Sequence, residues 1–295
     1  MMQIDFVDVF TFDGTGGNPC PIVVDASELD AGTMQKVAAR CGHESAFVLP
    51  PPSGDYDHAF RFFVPRHEME MCGHATIGAL WVLHRRGLIA PGEFRIATRS
   101  GPVTGFVSLE PDGATVEITQ PAGKVIDLTA EQERRVLSTL NITRADLLDA
   151  PIQNAVTSRV KTLVPIRDVE CLNQLRTDMA LTEACCVSIG STGLYPYAVV
   201  DAATRVFEAR QFPRSSGYPE DAATGIAASA LAFGLVRAGL AEADDRAMRV
   251  RQGRAMGQLS EIRVRLGYAG GQAIGCLLGG SISPSSLLKN GQNRQ

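Results

Sequence analysis

Apolar residues along this chain recur mostly in short runs of alternating or β-branched character, the pattern of strands. In the first half such runs cover residues 4–10, 21–24, 46–49, 59–64, 94–98, 102–109 and 115–119. The second half adds 161–166, 197–200, 205–211, 248–252, 261–266 and 273–278. Where polar and apolar positions alternate, as with Arg249 and Arg251 against Met248 and Val250, the sheet is expected to keep one wet face.

Two segments break this pattern. ATIGALWVL (75–83) and AATGIAASALAFGLV (222–236) are apolar on every side and rich in small residues. A surface helix shows a stripe, so a helix that is apolar all round is expected to be buried on all sides. Each is preceded by a helix-starting segment, Cys72-Gly73-His74 and Pro219-Glu220-Asp221, and 221 − 72 = 149 residues separate the two starts. That is half the chain, which points to an internal duplication. The expected fold is α+β, with two similar domains, each a curled, mostly antiparallel sheet or barrel wrapped around a central α-helix. The Pro/Gly break QPAGKVIDLT (120–129), ahead of the charged AEQERRVL, reads as the linker. It divides the chain into domains 1–122 and 123–279, with residues 280–295 expected to pack back on the first. The polar tail 283–295 is expected to fray.

Composition narrows the partners. The chain has 295 residues, 45% hydrophobic and 20% charged, with a net charge of −4. No basic block appears, which removes the electrostatic footprint of a nucleic-acid binder. The longest uncharged apolar stretch falls short of a membrane span, and the start MMQIDFVDVF lacks the pattern of a signal peptide. Seven cysteines without a CxxC pair give neither a disulfide framework nor a zinc ribbon. The expectation is a reduced, cytoplasmic protein that meets neither membrane nor nucleic acid.

The two helix starts are the first chemical signal. A helix N-terminus presents unpaired N–H groups and partial positive charge, a ready anion site. Gly73 and Gly225 would let a ligand approach the backbone, although small residues there also serve close helix–sheet packing. Glu44, in CGHESAFVLP, enters an apolar strand, where a carboxylate partly removed from water suits proton transfer; a capping or surface glutamate is the plain alternative. His74 is a hydrogen-bond donor or proton shuttle, or simply a packing residue. Asp221 is placed to cap the second helix. Other signals fail. Asp13–Asn18 mimics a dinucleotide loop, but Pro19 stands where the last glycine belongs. His67, Cys72 and His74 with Glu68 and Glu70 match no zinc spacing, so no metal is expected. GxSxG is absent, which weakens a serine-hydrolase reading, and Lys36, Lys124, Lys161 and Lys289 lie in no recognisable pyridoxal-phosphate context.

Taken together, Gly17-Asn18-Pro19, His43-Glu44-Ser45-Ala46-Phe47-Val48, Arg61-Phe62-Phe63-Val64-Pro65, Glu70-Met71-Cys72-Gly73-His74-Ala75-Thr76, Thr98-Arg99-Ser100-Gly101 and Glu220-Asp221-Ala222-Ala223-Thr224-Gly225 resemble the PhzF family. These are phenazine-biosynthesis isomerase-like proteins on the diaminopimelate epimerase fold, and the resemblance runs over nearly the whole chain. It implies an active site in a cleft between the domains, with Glu44 as the acid/base and His74 and Asp221 assisting. It also implies that amides near Gly73 and Gly225 bind a carboxylate, that Asn18, Ser45, Thr224 and Ile226 contact substrate, that no cofactor is used, and that the protein is a homodimer. Two departures weaken a phenazine substrate: Ile226 replaces the family's serine, and Gly257-Gln258-Leu259-Ser260 replaces G-R-P-S. Related epimerases oppose two cysteines; Cys72 matches the first, and the second half offers Asp221 instead.

The leading expectation is therefore an isomerase or epimerase moving a proton on a small carboxylate. Two rivals remain: a Cys72-dependent racemase, and a small-molecule-binding protein on the same fold without the chemistry.

Overall fold

The computed structural model describes residues 2–111 and 113–285. The described residues divide into two compact units, one of residues up to Thr119 together with 279–285, the other of Gln120–Leu278.

In the first unit the elements run β1 (Asp5–Thr11), β2 (Asn18–Val23), α1 (Ala31–Cys41), β3 (Ser45–Leu49), β4 (His58–Phe63), β5 (Glu68–Met69), α2 (Gly73–Arg85), β6 (Gly92–Thr98), β7 (Gly101–Glu110) and β8 (Gly113–Pro121). Antiparallel pairs β1/β2, β3/β4 and β6/β7 are joined by parallel pairings, Ile22 beside Ala46 and His58 beside Ile96. β7 then pairs with β8. The sheet wraps α2, which packs on β1, β2, β3 and β7. A Cβ on Gly78 would stand 3.1 Å from Ile22 and Val7 side-chain carbons, so the small residues let strands close on the helix. α1 covers the other face of β3 through Met34, Val37 and Ala38 against Phe47 and Phe63.

The second unit comprises β9 (Lys124–Asp127), α3 (Ala130–Leu140), β10 (Gln153–Val156), β11 (Val160–Pro165), α4 (Val169–Gln174), α5 (Met179–Ser188), β12 (Gly193–Asp201), β13 (Val206–Ala209), β14 (Phe212–Pro213), α6 (Gly225–Arg237), β15 (Met248–Gln252), β16 (Ser260–Ala269) and, as far as Leu278, β17 (Gln272–Pro284), whose remainder belongs to the first unit. The last residues of β17 return to pair antiparallel with β1, Val7 beside Pro284. The succession of the first unit recurs: hairpin β10/β11, outer helices, β12 parallel to β11, hairpin to β13, the central helix α6, β15 parallel to β13, and hairpin to β16. α6 packs on β9, β10, β11 and β16. α3, α4 and α5 build a separate apolar layer with Leu172, Cys186, Leu194 and Phe212.

The expected α+β architecture, a curled sheet around a buried helix made twice, is the one found. The presumed linker is not free chain: β9 lies inside 120–129 and pairs with β10 over four residues. The helix starts also differ. α2 begins at Gly73, two residues before its apolar run, and α6 at Gly225, three residues into its run. Residues 286–295, most of the tail expected to fray, lie outside the described residues.

Candidate functional site

Glu44 is delivered by a helix stop. α1 ends at Gly42, in the left-handed conformation at φ 73°, with its amide donating to the Ala38 carbonyl. Glycine adopts that backbone without strain. The chain then turns through His43 and Glu44 into the buried β3. Cys72 and His74 come from the start of α2, Cys72 being the extended N-cap residue. The three side chains meet. The Cys72 thiol donates to Glu44 Oε2 over 3.3 Å, His74 Nδ1 stands 3.4 Å from Cys72 Sγ, and Nδ1 lies 3.5 Å from the same carboxylate oxygen. Their donor atoms all lie within 4.8 Å of one another, so the trio is also the place where this unit could hold a cation.

Exposure separates their roles. Cys72 is 5% exposed and His74 7%, whereas the Glu44 side chain is 34% exposed, so the carboxylate is the member an incoming molecule reaches. Burial pushes the Cys72 thiol well above its ordinary range, and the charge of Glu44 adds to the rise. A thiol so placed stays protonated at neutral pH and serves as a hydrogen-bond donor, while reactive cysteines have depressed values. His74 Nε2 is buried without a partner. An unsatisfied buried polar atom costs about 1–3 kcal/mol, and such costs gather at working sites.

Neither α2 nor α6 has a side-chain cap or an acidic residue in its first turn. An anion at either start would meet the positive end of the helix dipole. Of the other expected residues, Asn18 opens β2 and Gly73 opens α2. Ser45 is buried and donates to the His43 carbonyl, bracing the turn that carries Glu44. Of the sequence's zinc candidates, Cys72 and His74 stay together, while Glu68 is committed elsewhere: both its oxygens are taken by Arg61 at 2.7 and 2.9 Å, with Arg99 also at 2.7 Å.

The second unit's helix start is built differently. Thr224 is the N-cap, Gly225 the first helical residue and Ile226 the second. Asp221 therefore does not cap α6. Its carboxylate accepts from Thr224 Oγ1 at 2.5 Å and from the Ala223 amide at 3.5 Å. By position in the repeated topology, Cys72 is matched by Thr224, His74 by Ile226, and Glu44, just before β3, by Thr192 just before β12. The Glu44, Cys72 and His74 trio thus has no counterpart at the matching positions of the second unit.

Three residues emerge only from the structure. Gln252, wholly buried, donates to the Asp221 carbonyl at 2.7 Å and to Thr224 Oγ1 at 3.1 Å. It accepts from the Thr224 amide and from the buried Tyr195 hydroxyl. Arg210 grips Glu220 with two parallel hydrogen bonds, so the residues before α6 are held from both sides. Lys161 on β11 is 5% exposed, and burial lowers its amine to about 8 while the Asp221 carboxylate opposes the fall. Only tertiary packing reveals these contacts, since each partner lies on a different element; no local pattern marked them.

Lys161 has a consequence for stability. Its folded value of about 8 lies below the ordinary 10.5. The unfolded chain therefore binds this proton more tightly, and stability rises as pH climbs from about 8 towards 10.5. Urea midpoints measured across that window should rise for wild type relative to Lys161→Met. Parallel curves would show that the amine titrates normally.

The family model of phenazine biosynthesis-like proteins matches residues 7–275. The uncharacterized isomerase YddE of Escherichia coli K12 is 30% identical over 269 residues, 89% of each chain. Among solved structures, a PhzF-family phenazine biosynthesis protein from Bacillus anthracis superposes with a TM-score of 0.84 at 23% identity, covering 95% of both chains. A predicted epimerase from Pseudomonas aeruginosa gives 0.80 at 26% identity, covering 97% of this chain and 98% of that one.

Proposed function

The chain belongs to the phenazine biosynthesis-like (PhzC-PhzF) family, a family with isomerases among its members, and on that premise we propose that it moves a proton on a small carboxylate substrate with Glu44 as the acid/base. The observation that carries this reading is the trio at the start of α2, where the one accessible member is a carboxylate that accepts from a buried thiol. Glu44 takes a proton from an acidic C–H and returns it at another carbon, or to the opposite face of the same carbon. Atoms and charge balance without a cofactor. His74 and Cys72 stand beside the carboxylate as donors, so they steady it as its charge changes. The open N-terminus of α2 offers amides to the substrate's carboxylate or to the enolate charge that develops. In the second unit Asp221 receives an auxiliary role through its bonds to Thr224 and Ala223.

The racemase reading asks Cys72 itself to act as base, and burial opposes it by keeping the thiol protonated. Incubation in deuterium oxide with a panel of small carboxylates, followed by NMR, separates the two. Cys72→Ser is expected to keep deuterium incorporation within about tenfold of wild type, because a hydroxyl still donates to Glu44. Incorporation falling to background in that variant would move the base from Glu44 to Cys72. Wild type that binds a panel member tightly without any incorporation would instead make it a binding protein.

A further inference from the structure

Glu44, Cys72 and His74 have a second property that proton transfer does not require. We propose that they form a three-ligand site for a zinc-type divalent cation, and that filling it blocks the carboxylate that moves the proton. Donors about 2.0–2.3 Å from a tetrahedral zinc stand roughly 3.3–3.7 Å from one another. Here the three separations are 3.3 Å between Sγ and Oε2, 3.4 Å between Sγ and Nδ1, and 3.5 Å between Nδ1 and Oε2. The donors thus already trace one face of the required tetrahedron, and an ion needs side-chain adjustments of only tenths of an ångström.

The donor set also fits. One sulfur, one imidazole nitrogen and one carboxylate oxygen suit zinc and its neighbours in the transition series rather than magnesium or calcium, which take oxygen ligands. Three protein ligands leave a fourth position for water or another small ligand, and Glu44, 34% exposed, gives the trio access to solvent. Two of the three donors come from one helix start, N-cap Cys72 and His74 two positions on, and the third from the turn braced by Ser45. The trio therefore pre-exists in the fold. On binding, the Cys72 sulfur loses its proton to solvent and the Glu44 oxygen gives its lone pair to the metal. The base is then occupied.

Other clusters of ligating side chains carry less. Glu68 is committed to two arginines, and Asp221 to Thr224 and Ala223. The inhibition half of the proposal rests on Glu44 being the base; the binding half does not.

The test uses the full chain with cobalt(II) as a probe and zinc(II) as competitor. Wild type is expected to take up one equivalent of cobalt with a thiolate-to-metal charge-transfer band, displaced by zinc. Cys72→Ser should abolish the band. Glu44→Gln and His74→Asn should weaken binding by more than the roughly 10–100-fold that losing a second-shell partner costs. Cys171→Ser, on α4, should leave the band untouched. Zinc should suppress deuterium incorporation in proportion to occupancy. No band in wild type, or a band surviving in Cys72→Ser, overturns the site. Full occupancy with undiminished incorporation overturns the blocking. Failure of the proton-transfer reading would leave the cobalt band in place, so the two failures are distinguishable.

Discussion

Glu44→Gln is expected to lower solvent-deuterium incorporation by about 10²–10⁴-fold, the usual worth of a positioned acid/base. That range corresponds to about 3–5 kcal/mol of barrier. Glutamine preserves the shape and still accepts the Cys72 thiol through its carbonyl, but it holds no exchangeable carboxyl proton and is no base at neutral pH. The fold should barely notice. The side chain is a third exposed, and it meets the Cys72 thiol and the His74 ring. A thermal midpoint within a few degrees of wild type, together with lost incorporation, places the effect in the chemistry. Incorporation that survives in Glu44→Gln removes the carboxylate from the reaction and leaves the trio without a base.

Much of this site is legible in the sequence. The helices that carry both openings are apolar on all sides, and no surface helix can be, so their burial followed from the sequence alone. Cys72, His74 and Glu44 were each visible as residue types. Their meeting was not, because Glu44 and Cys72 lie 28 positions apart and only the parallel joining of β2 to β3, with α2 across it, brings them to 3.3 Å. The start of α6 is hidden by small residues ahead of its cap: Ala222 and Ala223 continue the apolar run but lie outside the helix. α3 went unnamed although Thr129 and Gln132 form a reciprocal capping box with readable spacing. β9 and β10 are only four residues each, too short for a periodic signal to rise above a Pro/Gly break. Glu220 is the clearest case of a motif residue with a structural rather than chemical task, and nothing local to its sequence separates it from Asp221.

Arg210→Met tests that task, with an expected loss of about 3–5 kcal/mol, the cost of leaving a buried charge without its partner. The Arg210 and Glu220 side chains are 6% and 11% exposed, and two parallel bonds of 2.9 and 2.7 Å join them. The same guanidinium donates to the Leu172 and Leu175 carbonyls at 3.1 and 2.8 Å, closing the end of α4, and stacks 4.9 Å from the centre of the Phe212 ring. Methionine fills part of that volume and satisfies none of those acceptors. Because desolvating two ions costs nearly as much as their attraction returns, most of the expected loss comes from the orphaned Glu220 carboxylate. Arg210→Met/Glu220→Met should accordingly be more stable than Arg210→Met alone, by urea unfolding at constant pH. The carbonyls of α4 would remain unpaired in both, so the double variant should not regain wild-type stability. A double variant no better than the single one would place the energy in the α4 carbonyl contacts instead. The segment from Glu220 to Thr224 would then depend chiefly on Gln252.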